Sequence, residues 1–568
     1  MKKNARKILA LLLAAVLLLL CTGCGRDKED PNAGDFQSTG GKDVVRAKAD
    51  DNVFTLNYNA KYSKNPLVAT NHANQLVCNL VYENMVEVDN DFNVIPNVIK
   101  EWRYTDEYAK TWELVIDEGH FFHDGTEVTA RDVSYSLGLA INADRYLGRF
   151  ASFQGASAGE GVVYVALGLG NSQFIKLLNI PVIKAGTYGE KTDFGNTPIG
   201  SGPYTYEFVE TPVEPTDGKS KEKNAEPETV TTTRLVAYEG YPGYEDLPVD
   251  TIYLQEYTNA DAIISAFEDS RIDVVINDPS SYTNLGYSSA NEIHTFATTN
   301  LHFVAFNEEG MLGRYSYFRV AMQYAFDREY LTELLHGNAV AAAVPMYPTN
   351  PVYPTALAKR LDYNLDLCKR ILEAAGVQDY DEDGRLEFMS GSPQEIELNM
   401  ILCSDSSAKA GIARRFQEDM DSIGLTVNVF EMTWDEYTTA LEEGEFKVGN
   451  GMVPVDMYYG EVKLRNDFDI TELIQVRNKD NERTNINWSR STDRTLEDWV
   501  NLYLASSDAM RADVYNQMCE YLTGTAGSLV TIGFEKQQII THRGVCKGID
   551  ANIGNPLYNF SNWTIDLT

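Results

Sequence analysis

The sequence predicts an α/β fold, and three observations carry that prediction. Strand-like and helix-like stretches alternate along most of the chain, the pattern of helices packed on a sheet. Its 568 residues, 43% of them hydrophobic, can fill two to four cores. Beyond the first 23 residues no stretch approaches 18 apolar positions, so the remainder is read as folding outside a membrane.

The elements follow in order. Val53 to Tyr58 reads as a first strand, and Thr70 to Val86 carries apolar residues at helical spacing. Thr111 to Ile116 is a strand. Thr129 caps the next helix, with Asp132 three residues on to complete a capping box. A helix over Tyr317 to His336 ends at Gly337, a residue type suited to helix ends. Further helices are predicted over Leu365–Ala375, Ser407–Ile423, Asp435–Glu443 and Ala509–Thr523. Val209 to Val230, rich in Glu, Lys, Pro and Thr, reads as an exposed hairpin loop. It joins two strands, Gly202–Phe208 and Thr231–Tyr238.

The N-terminus reads as an address. Lys2, Lys3, Arg6 and Lys7 precede an unbroken apolar run of 13 residues, Ile8 to Leu20. That length fits a signal core and falls short of a membrane span of about 20 residues. Residues 1–23 are therefore expected to be a signal peptide. Gly23-Cys24 resembles a bacterial lipobox, which makes Cys24 the expected lipidation site; Cys21 stands where a leucine is commoner. Two acyl chains anchor stably, at about 0.8 kcal/mol per buried CH₂. Residues 24–46 follow as a flexible tether, polar and glycine-rich through Asp43.

Charge excludes one class of function. The formal net charge is −35; without residues 1–23, which carry four cations and no acid, 44 cations against 83 acids give −39. Nucleic-acid binding needs a basic footprint and is set aside. Bulk charge likewise argues against an anionic substrate. The 33 tyrosines suit a surface that is wet at one end and apolar at the other. Cys78, Cys368, Cys403, Cys519 and Cys546 are widely spaced, with no CxxC pair, and read as buried thiols.

Several motifs fall short of a chemistry. Asp379 to Gly384 begins like a calcium loop, but its twelfth position is Ser390 in place of a bidentate Glu. His120 and His123 sit three apart without an HExxH, and no G-x-S-x-G elbow occurs. No metal, cofactor or catalytic residue is expected.

One set of motifs is specific. Phe121-Phe122-His123-Asp124-Gly125-Thr126 is followed by Thr129-Ala130-Arg131-Asp132-Val133. Then come Pro198-Ile199-Gly200-Ser201-Gly202-Pro203-Tyr204, Arg271-Ile272-Asp273-Val274, Phe318-Arg319-Val320-Ala321 with Ala325-Phe326-Asp327-Arg328, and Lys369-Arg370-Ile371-Leu372. In this order they resemble the extracellular solute-binding proteins of oligopeptide and dipeptide importers, solute-binding family 5. Read on their own, His123-Asp124-Gly125 is a turn and the glycines at 200 and 202 kink a strand. Their roles are therefore expected to be structural.

The resemblance implies a two-lobed, periplasmic-binding-protein-like (type II) fold with an additional domain, closing at a hinge over an interlobe cleft. Lobe 1 would comprise 47–75, 195–300 and 530–568, the additional domain 76–194, and lobe 2 301–529. The protein would be a monomeric, lipid-anchored receptor on the outer face of the cytoplasmic membrane, not an enzyme. It would deliver short peptides to the permease subunits of an ABC importer. Alternatives are the same fold binding an oligosaccharide or a metal chelate, or a peptide-sensing lipoprotein without transport. A peptide's ammonium needs a buried partner. A gapless match of Trp434 through Asp456 to the oligopeptide binders implies that Asp456 is that partner and that Trp434 contacts the ligand. The match departs at Val453, where a tryptophan is usual, and at Leu441, Glu442 and Asn450, where basic residues are. Tyr458, Tyr459, Tyr58 and Asn307 are the remaining candidates for the cleft.

Overall fold

Two long strands organise the molecule. Phe54–Tyr58 (β1) is almost wholly buried, as befits a central strand covered on both faces. It pairs in parallel with Thr251–Glu256 (β4) and Val274–Asn277 (β5). Tyr204–Pro212 (β2) and Thr229–Ala237 (β3) form an antiparallel hairpin at that edge. Asn291–Phe306 (β6) and Leu529–His542 (β10) run 16 and 14 residues, beyond the usual 3–10. They pair antiparallel along their length, with register shifts between Ala297 and Leu301 and between His302 and Phe303. On one side of the shifts β10 also pairs with β5; on the other, β6 pairs with Met457–Lys463 (β9). Glu397–Cys403 (β7) and Thr426–Met432 (β8) complete the order β8-β7-β9-β6-β10-β5-β1-β4-β3-β2, and Ala339–Ala341 adds a short strand to β10. The computed structural model describes residues 53–567, apart from residues 62, 70, 147, 188–197, 213–228, 258, 278–289 and 477–485. These residues belong to one compact unit.

The sheet's halves carry separate cores. Around β1, Phe54, Leu56, Val77, Tyr204, Ile252, Val274 and Trp563 pack together. In the other half, alternate residues of each strand enter opposite cores. Phe303, Ala305, Ile401 and Cys403 join one; Val304, Phe306, Met400 and Leu402 join the other. This is the period-two alternation of a sheet covered on both faces. A separate four-stranded antiparallel sheet, spanning residues 99–167, packs Trp112, Leu114 and Val163 under the helix Ala130–Ala140.

Local chemistry explains most boundaries. At the helix Ala130–Ala140 the Asp132 carboxylate accepts from the Thr129 amide at 2.9 Å and its hydroxyl at 2.7 Å, as the capping box predicts. The helix His72–Val81 starts at Asn71, whose side chain accepts from the Asn74 amide at 2.8 Å. The helix predicted over Tyr317–His336 is instead two short ones, Ser316–Met322 and Glu329–Leu334. Buried Arg328 lies between them, donating to the carbonyls of Thr531, Leu361 and Gln323. A continuous helix would deny it those three acceptors. Gly337 closes the segment at φ +86°. The loop expected over Val209–Val230 falls largely outside the described residues, while the strands flanking it pair through Pro212 and Thr229. Cys78, Cys368, Cys403, Cys519 and Cys546 are buried free thiols.

Candidate functional site: a cavity where the long strands cross

A cavity of about 510 Å³ opens at the register shift of β6 against β10. Phe296–Asn300 of β6 and Glu535–Gln537 of β10 form its back, with Val462 and Lys463 ending β9 on one side. The helix His72–Val81 contributes His72, Gln75, Leu76 and Asn79. Arg145, Tyr146 and Arg149 close it from the segment after the helix Ala130–Ala140. The volume falls within the range of small-ligand sites, about 300–1,000 Å³. Both halves of the main sheet supply walls, so one solute here would touch both.

The wall is basic in an acidic protein. Arg145, Arg149, Lys463, Arg465 and Lys536 face three carboxylates, Asp469, Glu472 and Glu535. Arg465 is paired with Asp469 and reaches Asp467 at 3.6 Å. Glu535 is bonded to the His302 imidazole at 2.8 Å, while the other imidazole nitrogen meets the Tyr459 hydroxyl at 3.0 Å. Burial alone would lower the His302 pKa; the Glu535 carboxylate outweighs it and raises it. Lys463 is exposed to the cavity's solvent; desolvation of its ammonium and the Arg145 and Arg149 cations lower its pKa.

The six residues expected to touch the ligand are not gathered at this cavity. Asp456 and Asn307 stand together: the Asn307 amide donates to the Asp456 carbonyl at 2.9 Å. They lie at the opposite end of β9 from Lys463, about 23 Å away at 3.3 Å per residue. The reason is a hairpin. Glu445–Val448 and Gly451–Pro454 pair with each other between the helix Trp434–Glu443 and β9, so Asp456 sits just past that hairpin and immediately before β9. Asp456 is 6% exposed. Oδ2 accepts from the Asn399 amide at 2.9 Å and side chain at 3.2 Å, and burial raises its pKa to about 6. Trp434, in the first turn of its helix, is 59% exposed. Tyr58 is packed in the core around β1, Tyr458 and Tyr459 in the two cores of the other half.

The cavity arginines and Lys463 escaped sequence reading. Their one signal is local: Arg145 and Arg149 alternate with Tyr146 and Phe150 in a chain poor in cations. The signature motifs do dock on one another. The Gly200 amide donates to His123 Nδ1 at 3.2 Å, so Nε2 carries the proton and donates to the Gly202 carbonyl at 3.0 Å. Burial lowers the His123 pKa and keeps the ring neutral. A Cβ on Gly200 would meet the Val81 carbonyl oxygen at 1.8 Å, which requires glycine there.

A mixed sheet in two halves, joined by two continuous strands around a ligand-sized cavity, defines a two-lobed solute-binding protein. The chain belongs to the bacterial extracellular solute-binding proteins, family 5, whose middle-region model matches residues 93–459. It is 22% identical over 460 residues to the oligopeptide-binding protein AppA of Bacillus subtilis, covering 76% of this chain and 78% of AppA. The structure of that AppA in complex with a nonapeptide superposes with a TM-score of 0.57 at 19% identity, over 90% of this chain and 98% of AppA. NikZ from Campylobacter jejuni, in complex with Ni(L-His), superposes at 0.62 and 16% identity, over 90% and 99% of the two chains. MppA, a periplasmic murein tripeptide binding protein in its unliganded open form, does so at 0.67 and 16%, over 91% and 98%. Among the described residues no helix is long and apolar enough to cross a membrane.

Proposed function

We propose that this protein is the receptor of an ABC importer, capturing short peptides between its lobes and passing them on unchanged. The observation that carries this reading is the cavity at the strand crossing, walled by both halves of the sheet. A solute there favours a closed arrangement because it contacts both lobes, and closure is biased by that difference in contact. The similarity to the oligopeptide-binding AppA over three quarters of the chain supports peptides as the class. The division into lobe 1, additional domain and lobe 2 belongs to the same proposal; the four-stranded sheet over residues 99–167 has a core of its own, while Leu76, Val77, Cys78, Leu80, Val81 and Tyr82 pack into the core around β1.

Asp456 is the proposed partner of the peptide's ammonium. Its Oδ1 accepts no hydrogen bond among the described residues, so that atom is available to a cation. Asn307 stands beside it and exposed Trp434 is proposed as a further ligand contact, while Tyr58, Tyr458 and Tyr459 are packed in the cores. Export by residues 1–23, lipidation at Cys24 and a monomeric state belong to the same proposal. A second reading, capture of a metal chelate, is favoured by the likeness to NikZ in fold.

Thermal unfolding of the purified full-length protein tests the reading. A peptide mixture at 100 times its dissociation constant stabilises by about 2.7 kcal/mol, and N-acetylated copies of the same peptides should not. No shift with any peptide, from protein freed of carried solute, would refute the peptide reading. A shift with acetylated peptides equal to that with free ones would refute the role of Asp456.

A further inference from the structure

We propose that residues 379–387 bind one calcium ion, held by the carboxylates of Asp379, Asp381, Asp383 and Glu387. The site is separate from the solute cavity, and the proposal does not depend on which solute that cavity takes.

The segment joins the strands Val377–Gln378 and Glu387–Ser390 of a three-stranded antiparallel sheet. Asp379, Asp381 and Asp383 stand at the first, third and fifth positions of a calcium loop, and Gly384 at the sixth. The loop falls short in sequence because its twelfth position is Ser390. The fold supplies a carboxylate three residues earlier. The second strand begins at Glu387 and returns that side chain to the loop. One carboxylate oxygen from each of the four acids lies within 4.8 Å of the others. Ligands at 2.3–2.6 Å from a calcium ion stand at most about 5 Å apart, so one ion can meet all four.

Glu387 separates this loop from an ordinary acidic turn. The three aspartates are exposed, but Glu387 is 2% exposed, and no cation pairs with it among the described residues. Its Oε2 accepts from the Tyr380 amide at 2.7 Å; its Oε1 accepts no hydrogen bond among the described residues. A buried carboxylate without a counter-charge is costly, and three like charges beside it raise the cost. The loop's own cation does not offset it, because Arg385 pairs with Asp421 at 2.7 Å.

The aspartates are held by backbone amides. Asp379 accepts from Asp383 and Gly384 at 3.2 Å and 2.9 Å. Asp381 accepts from Asp383 at 3.2 Å, and Asp383 from Arg385 at 2.8 Å. Each of these last two bonds uses Oδ1, and Oδ2 of both residues accepts none among the described residues. Four carboxylates make a hard, all-oxygen site, which suits calcium over metals that seek nitrogen or sulfur. Magnesium wants near-ideal octahedral ligands at about 2.0–2.1 Å, closer than this spread of oxygens. Leu386, between the loop and its strand, packs in the core with Val377, so an ion here would brace that core.

The test uses the full-length protein, stripped with EDTA and titrated calorimetrically with Ca²⁺ and Mg²⁺. Tb³⁺ luminescence, sensitised by Tyr380 within the loop, is the second readout. Asp381→Asn and Glu387→Gln are the variants; exposed Asp381 keeps the test open if Glu387→Gln fails to fold. One Ca²⁺ should bind per chain, with a dissociation constant of about 1 mM or lower, and at least about tenfold more tightly than Mg²⁺. Each variant should weaken it about tenfold or more, the loss of one charge-assisted contact. Ca²⁺ should raise the melting temperature of the parent and not of the variants. No binding of Ca²⁺ or Tb³⁺ up to about 10 mM, above the weakest extracellular calcium sites, overturns the proposal. Binding that neither variant weakens places the ion elsewhere on the acidic surface and also overturns it. Mg²⁺ binding as tightly as Ca²⁺ overturns the assignment to calcium.

Discussion

Replacing Asp456 by Asn should stabilise the unliganded protein, and only above a defined pH. Burial raises the carboxyl from 3.8 to about 6. At about 1.4 kcal/mol per pH unit, the charged form costs about 3 kcal/mol in the folded state. The sign follows from the proton count. Below pH 4 the folded and unfolded chains both hold the proton and the cost is absent. Between pH 4 and pH 6 the unfolded chain has lost its proton while the folded one keeps it, so stability falls as pH rises. Above pH 6 the whole cost is present. Asn carries no such cost, and its carbonyl can still accept from the Asn399 amide that now bonds Oδ2 at 2.9 Å. Thermal melts of both proteins without ligand, at pH 4 and at pH 7.5, read the difference. Domains of 150–250 residues shift about 2–4 °C per kcal/mol. Asp456→Asn should therefore melt about 5 °C or more above the parent at pH 7.5 and with it at pH 4. A variant that melts below the parent at pH 7.5, or a difference independent of pH, would refute the account of Asp456 as an uncompensated buried charge.

Other expectations follow from single contacts. Gly200→Ala must displace the Val81 carbonyl it would meet at 1.8 Å, so it should cost at least about 1–3 kcal/mol and lower the melting temperature without altering titrations in protein that still folds. Glu535→Ala leaves His302 buried without its carboxylate partner, a loss of about 3–5 kcal/mol; chemical denaturation should show it, most strongly at pH below the raised His302 pKa, where the imidazole is charged.

Much of the fold was legible in the sequence because it is local. The capping box at Thr129 and Asp132, the strand Thr111–Ile116 and the hairpin strands around 204–212 and 229–237 are set by near neighbours. The motifs from His123 and Gly200 read as turns, and their mutual docking confirms structural work. What was not legible is set by distant partners. Arg328 divides a helix because its acceptors come from residues 323, 361 and 531. The hairpin at 445–454 moves Asp456 to the far end of β9, which a gapless alignment cannot show. Arg145, Arg149 and Lys463 line one cavity because the segment after the helix Ala130–Ala140 packs beside the end of β9, where Arg465 donates to the Gly148 carbonyl. No spacing in the chain announces a site built from residues more than 300 positions apart.

The central claim is that the protein holds an intact solute between its lobes. Mass spectrometry of what the purified protein releases on denaturation, after incubation with a peptide digest, tests it most directly. The account predicts short peptides with free termini, recovered unchanged and at one per protein chain. Recovery of no peptide, or of peptides cut during incubation, would contradict it.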